Sequence, residues 1–442
     1  MMEDSGLRAF ALPGRAGVLA IDRRELHGAA AITRQRPLTV VTPKGPWAYA
    51  VSFFPEWPHG AAAEDGIIRV RMRVLKGELS VLCVAADRVR IIDEMFLAPT
   101  GGATSTVDLV AAPLGACDRV VVRHGAADEP ASIVAIESLD YVALALAADG
   151  DRLPAPEHQA LRPLPNWTRY YGGRGETLDE RLRSARYGLL DRVKPMAWLE
   201  GLDLLIHPND ELSRVVYVSG TYEPISLLTM KRLLPIGGVF VDVGANVGLY
   251  AMLASRWVGP RGRVVALEPS AREFQRLRDH VELNHLTNID TIRKGVADHD
   301  GWLQLRVARF PHAGHNTTAG RFSYGVVLDG IERVPAITLD RLVAEGHLSR
   351  VDLVKVDVEG CESAVLAGAS TLLREGRPAW IVEVSEPALA ASGTSGRDVL
   401  ERLSRAGYRL RSIDESTGRL AELRPDEAIP PGNVIAVPAE RD

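Results

Sequence analysis

Residues 237–257, GGVFVDVGANVGLYAMLASRW, determine the architecture of the second half of the chain. An apolar run that contains Asp242 leads into a turn with Gly244, Asn246 and Gly248, and an amphipathic helix follows directly. In open α/β sheets, a strand, a glycine-bearing turn and a helix in this order form a nucleotide-sized pocket at the carboxyl ends of the strands. We therefore predict a cofactor site at this turn.

The remainder of the second half continues to alternate strands and helices. The pattern is carried by RVVALEP, SAREFQRLRDHVELN, IDTIRKGVAD, VDLVKVDVEG, ESAVLAGASTLLREG and AWIVEVS. This succession predicts an α/β fold with a mainly parallel, doubly wound, Rossmann-like sheet. The final segments, GYRLRSIDESTGRLAE and NVIAVP, have no helix between them, which predicts an antiparallel hairpin at the sheet edge.

The first part of the chain has a different pattern. Residues 38–146 contain seven or eight runs of alternating apolar and polar residues, separated by turn signals and without a convincing helix. This predicts an all-β sandwich or jelly roll. We expect a β-sandwich accessory domain over residues 1–150, a linker and cap over residues 151–219, and the α/β domain over residues 220–442.

The strand pattern of the first part resembles the carbohydrate-binding jelly rolls found beside sugar-modifying enzymes, although no binding motif accompanies it. Four aromatic residues offer a possible platform for stacking sugar rings: Trp47, Phe53, Phe54 and Trp57. Aromatic residues spaced along a strand are more often core and rim residues, and we favour that interpretation.

Composition restricts the partners and the compartment. Among 442 residues, 46% are hydrophobic and 25% charged, as in folded globular proteins, and the net charge of −5 argues against nucleic acid and anionic membranes as partners. The three widely spaced cysteines predict neither disulfides nor a zinc site, so a reducing cytoplasm is expected. An acidic N-terminus and the lack of a long apolar run predict neither a signal peptide nor a membrane span.

Acidic residues at strand ends discriminate between cofactors. Glu268 lies about twenty residues beyond the glycine turn, where both dinucleotide and methyl-donor sites place an acid for the ribose hydroxyls. The turn lacks GxGxxG, and Asp242 would lie beside a pyrophosphate at a cost of several kcal/mol. S-adenosylmethionine has no phosphate and carries a sulfonium and an ammonium group, so the same carboxylate would attract it.

The order of the strands gives each part of S-adenosylmethionine an expected position. Its amino-acid end is expected over Gly244, Ala245 and Asn246, and Glu268 is expected to accept from the ribose hydroxyls. The adenine is expected near Val296, Ala297 and Asp298.

From about residue 220 to the end, the chain resembles the FkbM family of S-adenosylmethionine-dependent methyltransferases. The resemblance rests on SGTYEP, FVDVGANVG, LEPS, KVDVEGCESAVLAGA and IVEVS. It implies a seven-stranded class I methyltransferase sheet and methyl transfer to a hydroxyl, often on a sugar or polyketide. Gly248 and Pro269, within these motifs, complete the expected cofactor set. The resemblance implies nothing about the first 150 residues.

The run VKVDVEG supplies the candidate catalytic residues. Alternation places Lys355, Asp357 and Glu359 on the same side at the carboxyl edge of the sheet. Asp357 or Glu359 could orient the acceptor hydroxyl or remove its proton. Together with Glu383 they could instead hold a divalent cation, but carboxylates alone are weak evidence for a metal and we favour the metal-free interpretation.

The remaining polar candidates can be explained by a structural role as well as by a functional one. His315, next to Asn316 in the loop FPHAGHNTTAGRFSYG, is an alternative base, although loop histidines are commonly just solvated. Glu362 is expected to stabilise the first turn of a helix. His280 and His285 are expected at the surface.

Taken together, these observations predict an O-methyltransferase whose acceptor is a small-molecule or glycan hydroxyl. Two alternatives belong to other classes. A nicotinamide-dependent oxidoreductase would share the fold and the ribose acid but should show GxGxxG. A glycan-binding protein with an inactive methyltransferase domain would not need the full set of acidic residues.

Overall fold

The computed structural model describes most of the chain, namely residues 15–19, 24–26, 31–35, 37–43, 48–57, 60–87, 90–125, 131–144, 152–156, 159, 161, 177–323, 325–345, 348, 350–427 and 429–441. The chain folds into two compact units. The first comprises Met1–Gly150 and Gly173–Arg192, and the second comprises Asp151–Gly172 and Val193–Asp442. Among the residues described, no helix combines the length and apolarity that a bilayer crossing requires.

The first unit contains eleven described strands and one described helix. They are β1 (Arg15–Val18), β2 (Arg24–Leu26), β3 (Ala31–Gln35), β4 (Leu38–Val41), β5 (Tyr49–Phe53), β6 (Asp65–Lys76), β7 (Leu79–Val84), β8 (Ile91–Leu97), β9 (Ser105–Ala111), β10 (Arg119–His124), β11 (Ile133–Leu144) and α1 (Leu178–Tyr187).

These strands form two antiparallel sheets. One has the order β3-β4-β11-β6-β9, with β1 also paired to β11, and the other has the order β2-β5-β10-β7-β8. In β6 the buried Val70 and Met72 alternate with more exposed arginines, which is the pattern of a strand with one face in a core. Buried residues of both sheets, such as Val70 and Val81, belong to one hydrophobic core.

The cysteine prediction was wrong for two of the three residues. Cys83 in β7 and Cys117, just before β10, form a disulfide with their Cα atoms 5.7 Å apart. The two positions are 34 residues apart in sequence, but β7 and β10 are paired neighbours in the sheet. Cys361 is not disulfide-bonded. The argument for a reducing compartment from unpaired cysteines therefore no longer holds.

The described aromatic residues of the proposed platform have separate environments. Phe53 is buried in the core, and Trp57 packs edge-on against Tyr141 with ring centroids 5.9 Å apart. Phe54 lies under the Arg119 guanidinium, 5.1 Å from the ring centroid. Trp47 and most of the predicted linker lie outside the described residues. Phe53 cannot contribute to an exposed stacking surface.

Helix α1 belongs to the first unit, although we predicted residues 151–219 as a linker and a cap on the second. Leu182 is buried in a small apolar cluster with Ile67 of β6 and Val110 of β9. Arg181 donates to the Asp93 carboxylate and to the Asp108 carbonyl. The helix is amphipathic, and its apolar face packs against the sheet that contains β6 and β9.

The second unit contains thirteen described strands and eight described helices. They are β12 (Lys194–Trp198), β13 (Leu202–Ile206), α2 (Glu211–Ser219), α3 (Pro224–Leu233), β14 (Val239–Val243), α4 (Leu249–Val258), β15 (Arg263–Leu267), α5 (Ala271–Leu283), β16 (Ile289–Ile292), β17 (Gly295–Val296), β18 (Gly301–Ala308), β19 (Leu328–Ile337), α6 (Leu339–Glu345), β20 (Leu353–Val356), α7 (Glu362–Ala367), β21 (Ala379–Val384), α8 (Glu386–Ala391), α9 (Gly396–Arg405), β22 (Tyr408–Ile413), β23 (Leu420–Glu422) and β24 (Gly432–Pro438).

The main sheet has the order β16-β15-β14-β20-β21-β24-β22-β23. The first five strands are parallel, and β24 pairs antiparallel with both β21 and β22. The sheet has eight described strands rather than the expected seven, because the short Leu420–Glu422 adds an outer strand to β22. The order reverses between β14 and β20, and such switch points are where doubly wound sheets bind ligands.

Two smaller sheets accompany the main one. Strands β12 and β13 form a hairpin, and β17, β19 and β18 form a three-stranded sheet. The loop that contains His315, called the insertion below, lies between β18 and β19. The strands of the main sheet contribute apolar side chains to its core, and Val241, Val354 and Trp380 are all buried there. This continuous burial is expected for parallel strands covered by helices on both faces.

His280 is not a surface residue, contrary to our expectation. Its side chain is 1% exposed, its Nδ1 lies 2.8 Å from the Val247 carbonyl, and its Nε2 accepts from the Leu205 amide at 2.9 Å. Strand β13 lies over this face of α5 and shields His280 from solvent. The imidazole therefore connects the Leu205 amide of β13 to the Val247 carbonyl. His285 is exposed as expected.

The packing of α1 predicts a destabilising substitution. Leu182→Ala removes a buried side chain and should cost about 2–5 kcal/mol of unfolding free energy in the first unit. Hydrogen exchange should show faster exchange in β9, while Leu75→Ala, at a half-exposed position of β6, should leave β9 protected. Unchanged exchange in Leu182→Ala would contradict this assignment of the helix.

Candidate active site

The turn after β14 is built around a close contact between two strand ends. Gly244 has φ of 80°, and a Cβ there would lie 1.9 Å from the Asp357 carbonyl oxygen, so only glycine fits. The amides of Gly244 and Ala245 both donate to the Leu267 carbonyl, at 3.0 and 2.9 Å. The turn is thereby fixed against both neighbouring strands of the sheet.

Asp242 lies inside the cavity that opens above this turn. Its side chain is 1% exposed, and among the described residues neither carboxylate oxygen has a hydrogen-bond partner. Burial raises the pKa of Asp242 to about 6, against the opposing charge of Lys355. A buried, unsatisfied carboxylate is costly unless a ligand completes its interactions. This residue therefore indicates a binding site for a positively charged or hydrogen-bond-donating group.

Glu268 forms a second acidic position in the same cavity. Its two oxygens accept from the amides of Asn246 and Ser270, at 2.9 and 2.8 Å. Burial raises the pKa of Glu268 to about 8, and the Ser270 amide opposes that shift. Asn246 adopts the left-handed conformation, with φ of 50°, which directs its amide at Glu268. The carboxylate is thus held in a fixed orientation beside the turn.

The structure brings most of the expected cofactor residues together. The cavity is lined by Asp242, Gly244, Ala245, Asn246, Glu268 and Pro269. Three others do not line it: Gly248, Ala297 and Asp298.

These three residues have structural roles or solvent contacts instead. Gly248 begins α4, and a Cβ there would meet Leu277 at 2.5 Å. The Ala297 amide donates to Ile337, extending the pairing of β17 with β19, and Asp298 forms an exposed ion pair with His299. Because β17 joins the small sheet, the chain leaves the cavity after Val296.

All four predicted catalytic residues line the cavity. Lys355 is 3% exposed, and its Nζ lies 2.7 Å from Asp357 Oδ2 and 4.4 Å from the centre of the Tyr250 ring. Burial by itself would lower the pKa of Lys355, but the carboxylates of Asp357, Asp242 and Glu223 outweigh it and raise that pKa. Lys355 is therefore a permanent cation in this cavity.

His315 and Glu359 form a pair beside Lys355 and Asp357. His315 Nδ1 lies 3.1 Å from Glu359 Oε1, and the Glu359 carbonyl accepts from Thr317 Oγ1 at 2.7 Å. Burial lowers the pKa of His315, but the Glu359 carboxylate more than compensates and raises it. A carboxylate that orients an imidazole is the arrangement used for general bases.

Two clusters have the composition of metal sites. Asp357, Glu359 and Glu383 offer ligand atoms within 4.8 Å of one another, as do Glu211, His312 and His315. In the first cluster the Lys355 ammonium already compensates Asp357. Burial and the neighbouring carboxylates raise the pKa of Glu383 well above its usual range.

Sequence reasoning missed the buried support beneath Lys355. Tyr250 donates to Glu223 Oε2 at 2.6 Å, and burial raises the pKa of Glu223 to about 7. Glu415, from the turn after β22, accepts from the amides of Ile225 and Ser226 at 2.7 and 2.8 Å and so fixes the start of α3. The only feature of the sequence that could have indicated this role is that Glu223 lies in SGTYEP, one of the motifs on which the family resemblance rests.

Two further residues connect the loops around the cavity. Asn316 donates to Glu273 Oε2 at 2.7 Å and accepts from the Ala308 amide at 2.8 Å, tying the insertion to α5. Glu362 begins α7, and its Oε1 accepts from the amides of Val358 and Gly360 at 3.1 Å. Glu362 thereby holds the segment that carries Glu359, consistent with its expected role at a helix start.

The second unit has the mainly parallel, doubly wound sheet of Rossmann-like folds, and its cavity lies at the carboxyl ends of β14 and β20. The residues present fit the cofactor: Asp242 is a buried carboxylate in need of a partner, the Gly244 turn leaves room above it, and Glu268 is oriented by amides. Residues 242–410 match the family model of the Methyltransferase FkbM domain.

The chain is similar to several proteins named as methyltransferases. Hexuronic acid methyltransferase AglP of Haloferax volcanii is 29% identical over 197 residues, which cover 45% of this chain and 73% of AglP. Methyltransferase sdnD of Sordaria araneosa is 28% identical over 181 residues, 35% of this chain and 69% of its own. The structure of Methyltransferase FkbM from Methylobacillus flagellatus aligns at 13% identity over 61% of this chain and 57% of that chain, with a TM-score of 0.31, too low to establish a shared fold by itself.

The unsatisfied carboxylate gives a direct test of cofactor binding. Asp242→Asn removes the charge that faces the cofactor, so we expect the Kd for S-adenosylmethionine to rise about 10- to 100-fold, or about 1.5–3 kcal/mol. Since the charged form binds, wild-type affinity should fall as the pH drops through about 6. Titration calorimetry measures both effects.

Asp298→Asn, outside the cavity, is the matched control and should bind like the wild type. Unchanged affinity in Asp242→Asn, or selective binding of NAD by the wild type, would contradict this account of the turn.

Proposed function

We propose that the protein is an S-adenosylmethionine-dependent O-methyltransferase acting on a hydroxyl of a saccharide or of a glycosylated or polyketide metabolite. The observation that carries the proposal is the His315–Glu359 pair in the same cavity as the unsatisfied Asp242. AglP, named as a hexuronic acid methyltransferase, supports a saccharide acceptor.

The cofactor would be held at the first part of the cavity. Asp242 would attract its ammonium and sulfonium charges, the turn from Gly244 to Asn246 would carry its amino-acid end, and Glu268 would accept from its ribose hydroxyls. Val296 and Pro269, which line the cavity, would contact the adenine, in place of Ala297 and Asp298, which do not line it. S-adenosylmethionine, when bound, supplies a methyl group already activated for displacement by an oxygen nucleophile.

His315 is the best candidate for the base that this transfer requires. An alcohol oxygen becomes a competent nucleophile as its proton leaves, and that proton would pass to the imidazole of His315. Glu359 would orient the ring and stabilise the imidazolium. Lys355 is always protonated, and the adjacent Lys355 ammonium outweighs burial to lower the pKa of Asp357, which makes Asp357 a weak base.

Asp357 then has an orienting role. Its carboxylate is fixed by Lys355 at 2.7 Å and can accept a hydrogen bond from the acceptor hydroxyl. A protonated Glu383 would support the same geometry, since hydrogen bonding to Glu383 also lowers the pKa of Asp357. Alignment of the acceptor oxygen accounts for much of the catalysis expected when the methyl donor is already activated.

The alternatives receive less support. Asp242 has an unfavourable charge for the pyrophosphate of a nicotinamide cofactor. The buried acids, Lys355 and the imidazole pair are all present in one cavity, and keeping such charges buried without a ligand would be costly for a binding protein that had lost activity.

The base assignment predicts a specific pH profile. The rate should increase as His315 loses its proton, with a midpoint above the ordinary histidine pKa of about 6.5. Glu359→Gln removes the carboxylate that raises this pKa, so the midpoint should move to lower pH. His315→Gln should lower kcat by about 10²- to 10⁴-fold.

Steady-state rates over pH 5–10 measure the profile. His299→Gln, which changes an exposed histidine outside the cavity, should behave as the wild type. If the midpoint of the pH profile rises or stays unchanged in Glu359→Gln, the group whose titration controls the rate is not His315.

The acceptor class can be tested with the full chain. Methyl transfer from labelled S-adenosylmethionine to a panel of free saccharides and glycosides should give O-methyl ethers, identified by NMR of the product. Products methylated on nitrogen or carbon, or esters formed on a carboxylate, would contradict the proposal.

A further inference from the structure

The insertion that carries His315 lies directly against the turn after β14. Ala313, at the start of the short helical turn that ends at His315, is 1% exposed. A Cβ on Gly314 would lie 3.6 Å from Nδ2 of Asn246, which is an ordinary van der Waals contact. Gly314, His315 and Asn316 line the same cavity as Asn246. The loop with the proposed base therefore forms a wall of the cavity beside the cofactor turn.

Asn316 attaches this loop to the first turn of α5. Its Nδ2 donates to Glu273 Oε2 at 2.7 Å, and its Oδ1 accepts from the Ala308 amide at 2.8 Å. Both polar atoms of the side chain thus have protein partners, which fixes its orientation. The Glu273 side chain is 1% exposed, and Arg272 Nε donates to its Oε1 at 2.6 Å. Asn316 is therefore bonded to a buried, paired carboxylate, and hydrogen bonds to charged groups are the stronger ones.

The Glu273 carboxylate is also connected to Glu268, the proposed acceptor of the ribose hydroxyls. Ser270 is buried between them: its Oγ donates to Glu273 Oε2 at 2.5 Å, and its amide donates to Glu268 Oε1 at 2.8 Å. A continuous series of hydrogen bonds thus includes Glu268, Ser270, Glu273 and Asn316. Hydrogen bonds in such a series strengthen one another. A donor bound to Glu268 would act on one end of the series, and the other end adjoins His315 in the chain.

On its other side, the same loop is attached to the segment that carries Glu359. Thr317 Oγ1 donates to the Glu359 carbonyl at 2.7 Å, and Thr318 Oγ1 donates to Cys361 Sγ at 3.1 Å. Thr317 is 3% exposed, so this attachment is also shielded from solvent. His315 therefore lies between an attachment to the cofactor side of the cavity and an attachment to the side of its partner Glu359. Its position depends on both.

We infer that Asn316 and Glu273 are positioning residues that couple the placement of His315 to the occupancy of the cofactor site. The inference rests on the proposed cofactor role of Glu268. A ligand favours one arrangement of a protein only by contacting it differently, and a cofactor in this cavity contacts both Glu268 and the loop. Cofactor binding holds the loop against the turn, so the acceptor enters a site in which the base is already placed. The coupling is reciprocal, and the attached loop strengthens cofactor binding.

S-adenosylhomocysteine, the demethylated form of the cofactor, is a probe that needs no acceptor. With the full chain, amide hydrogen exchange over residues 312–319 should be about 10-fold slower when this probe is bound. In Asn316→Ala the slowing should be largely lost, and the Kd for the probe, measured by calorimetry, should rise by up to the same factor because the coupling is reciprocal. Gln275→Ala, which changes an exposed side chain on the same helix, should behave like the wild type.

An exchanged pair of side chains distinguishes this coupling from a general loss of structure. Asn316→Asp places two carboxylates against each other and should also lose the slowing. Asn316→Asp combined with Glu273→Gln restores one donor and one acceptor with the same net charge, and should recover most of it. The inference is overturned if the combined variant recovers nothing, or if Asn316→Ala shows the full slowing.

The wild type separates the inference from the proposed function. If the probe binds without slowing exchange over residues 312–319, the coupling is wrong and the cofactor role stands. If the probe does not bind, the cofactor role is wrong and the inference fails with it.

Discussion

The close approach of Gly244 to the Asp357 carbonyl is the contact on which the second unit depends. It requires a residue without a side chain, and it joins the end of β14 to the end of β20 at the point where the strand order reverses. Because of this contact, Asp242 and the segment from Lys355 to Glu359 open into one cavity. A Cβ at this position would clash with the Asp357 carbonyl oxygen, so any other residue would force the ends of β14 and β20 apart.

Charge compensation organises the residues around that contact. Lys355 is the only lysine or arginine of the lining that contacts Asp357, and the carboxylates around it raise its pKa. It favours the ionised form of Asp357, and for this reason the proposed mechanism gives the proton-accepting role to His315 and its partner Glu359. Burial alone favours the neutral form of each group, whereas their opposite charges favour the ionised forms of Lys355 and Asp357.

Local sequence predicted the parts of the site that lie at strand ends. Asp242, Glu268, Asp357 and Glu359 follow from alternation and from the rule that parallel strands end at one edge. Contacts between distant elements were not predictable. Cys83 and Cys117 meet through strand pairing, His280 is covered by β13, and Ala297 turns away because β17 joins a second sheet. Glu223 approaches Tyr250 only through the folded position of α3.

The cap that Glu415 provides at the start of α3 has a consequence for the order of assembly. Glu415 is 190 residues beyond Ile225, and Asn433 of β24 also donates to Ser226 Oγ. Helix α3 carries Glu223, which supports Tyr250 beneath Lys355. This contact closes a loop of 190 residues, and the entropic cost of closing a loop grows with its length. During synthesis, the turn after β14 is complete long before Glu415 is made, so Lys355 gains the support of Glu223 and Tyr250 only once the end of the chain has folded.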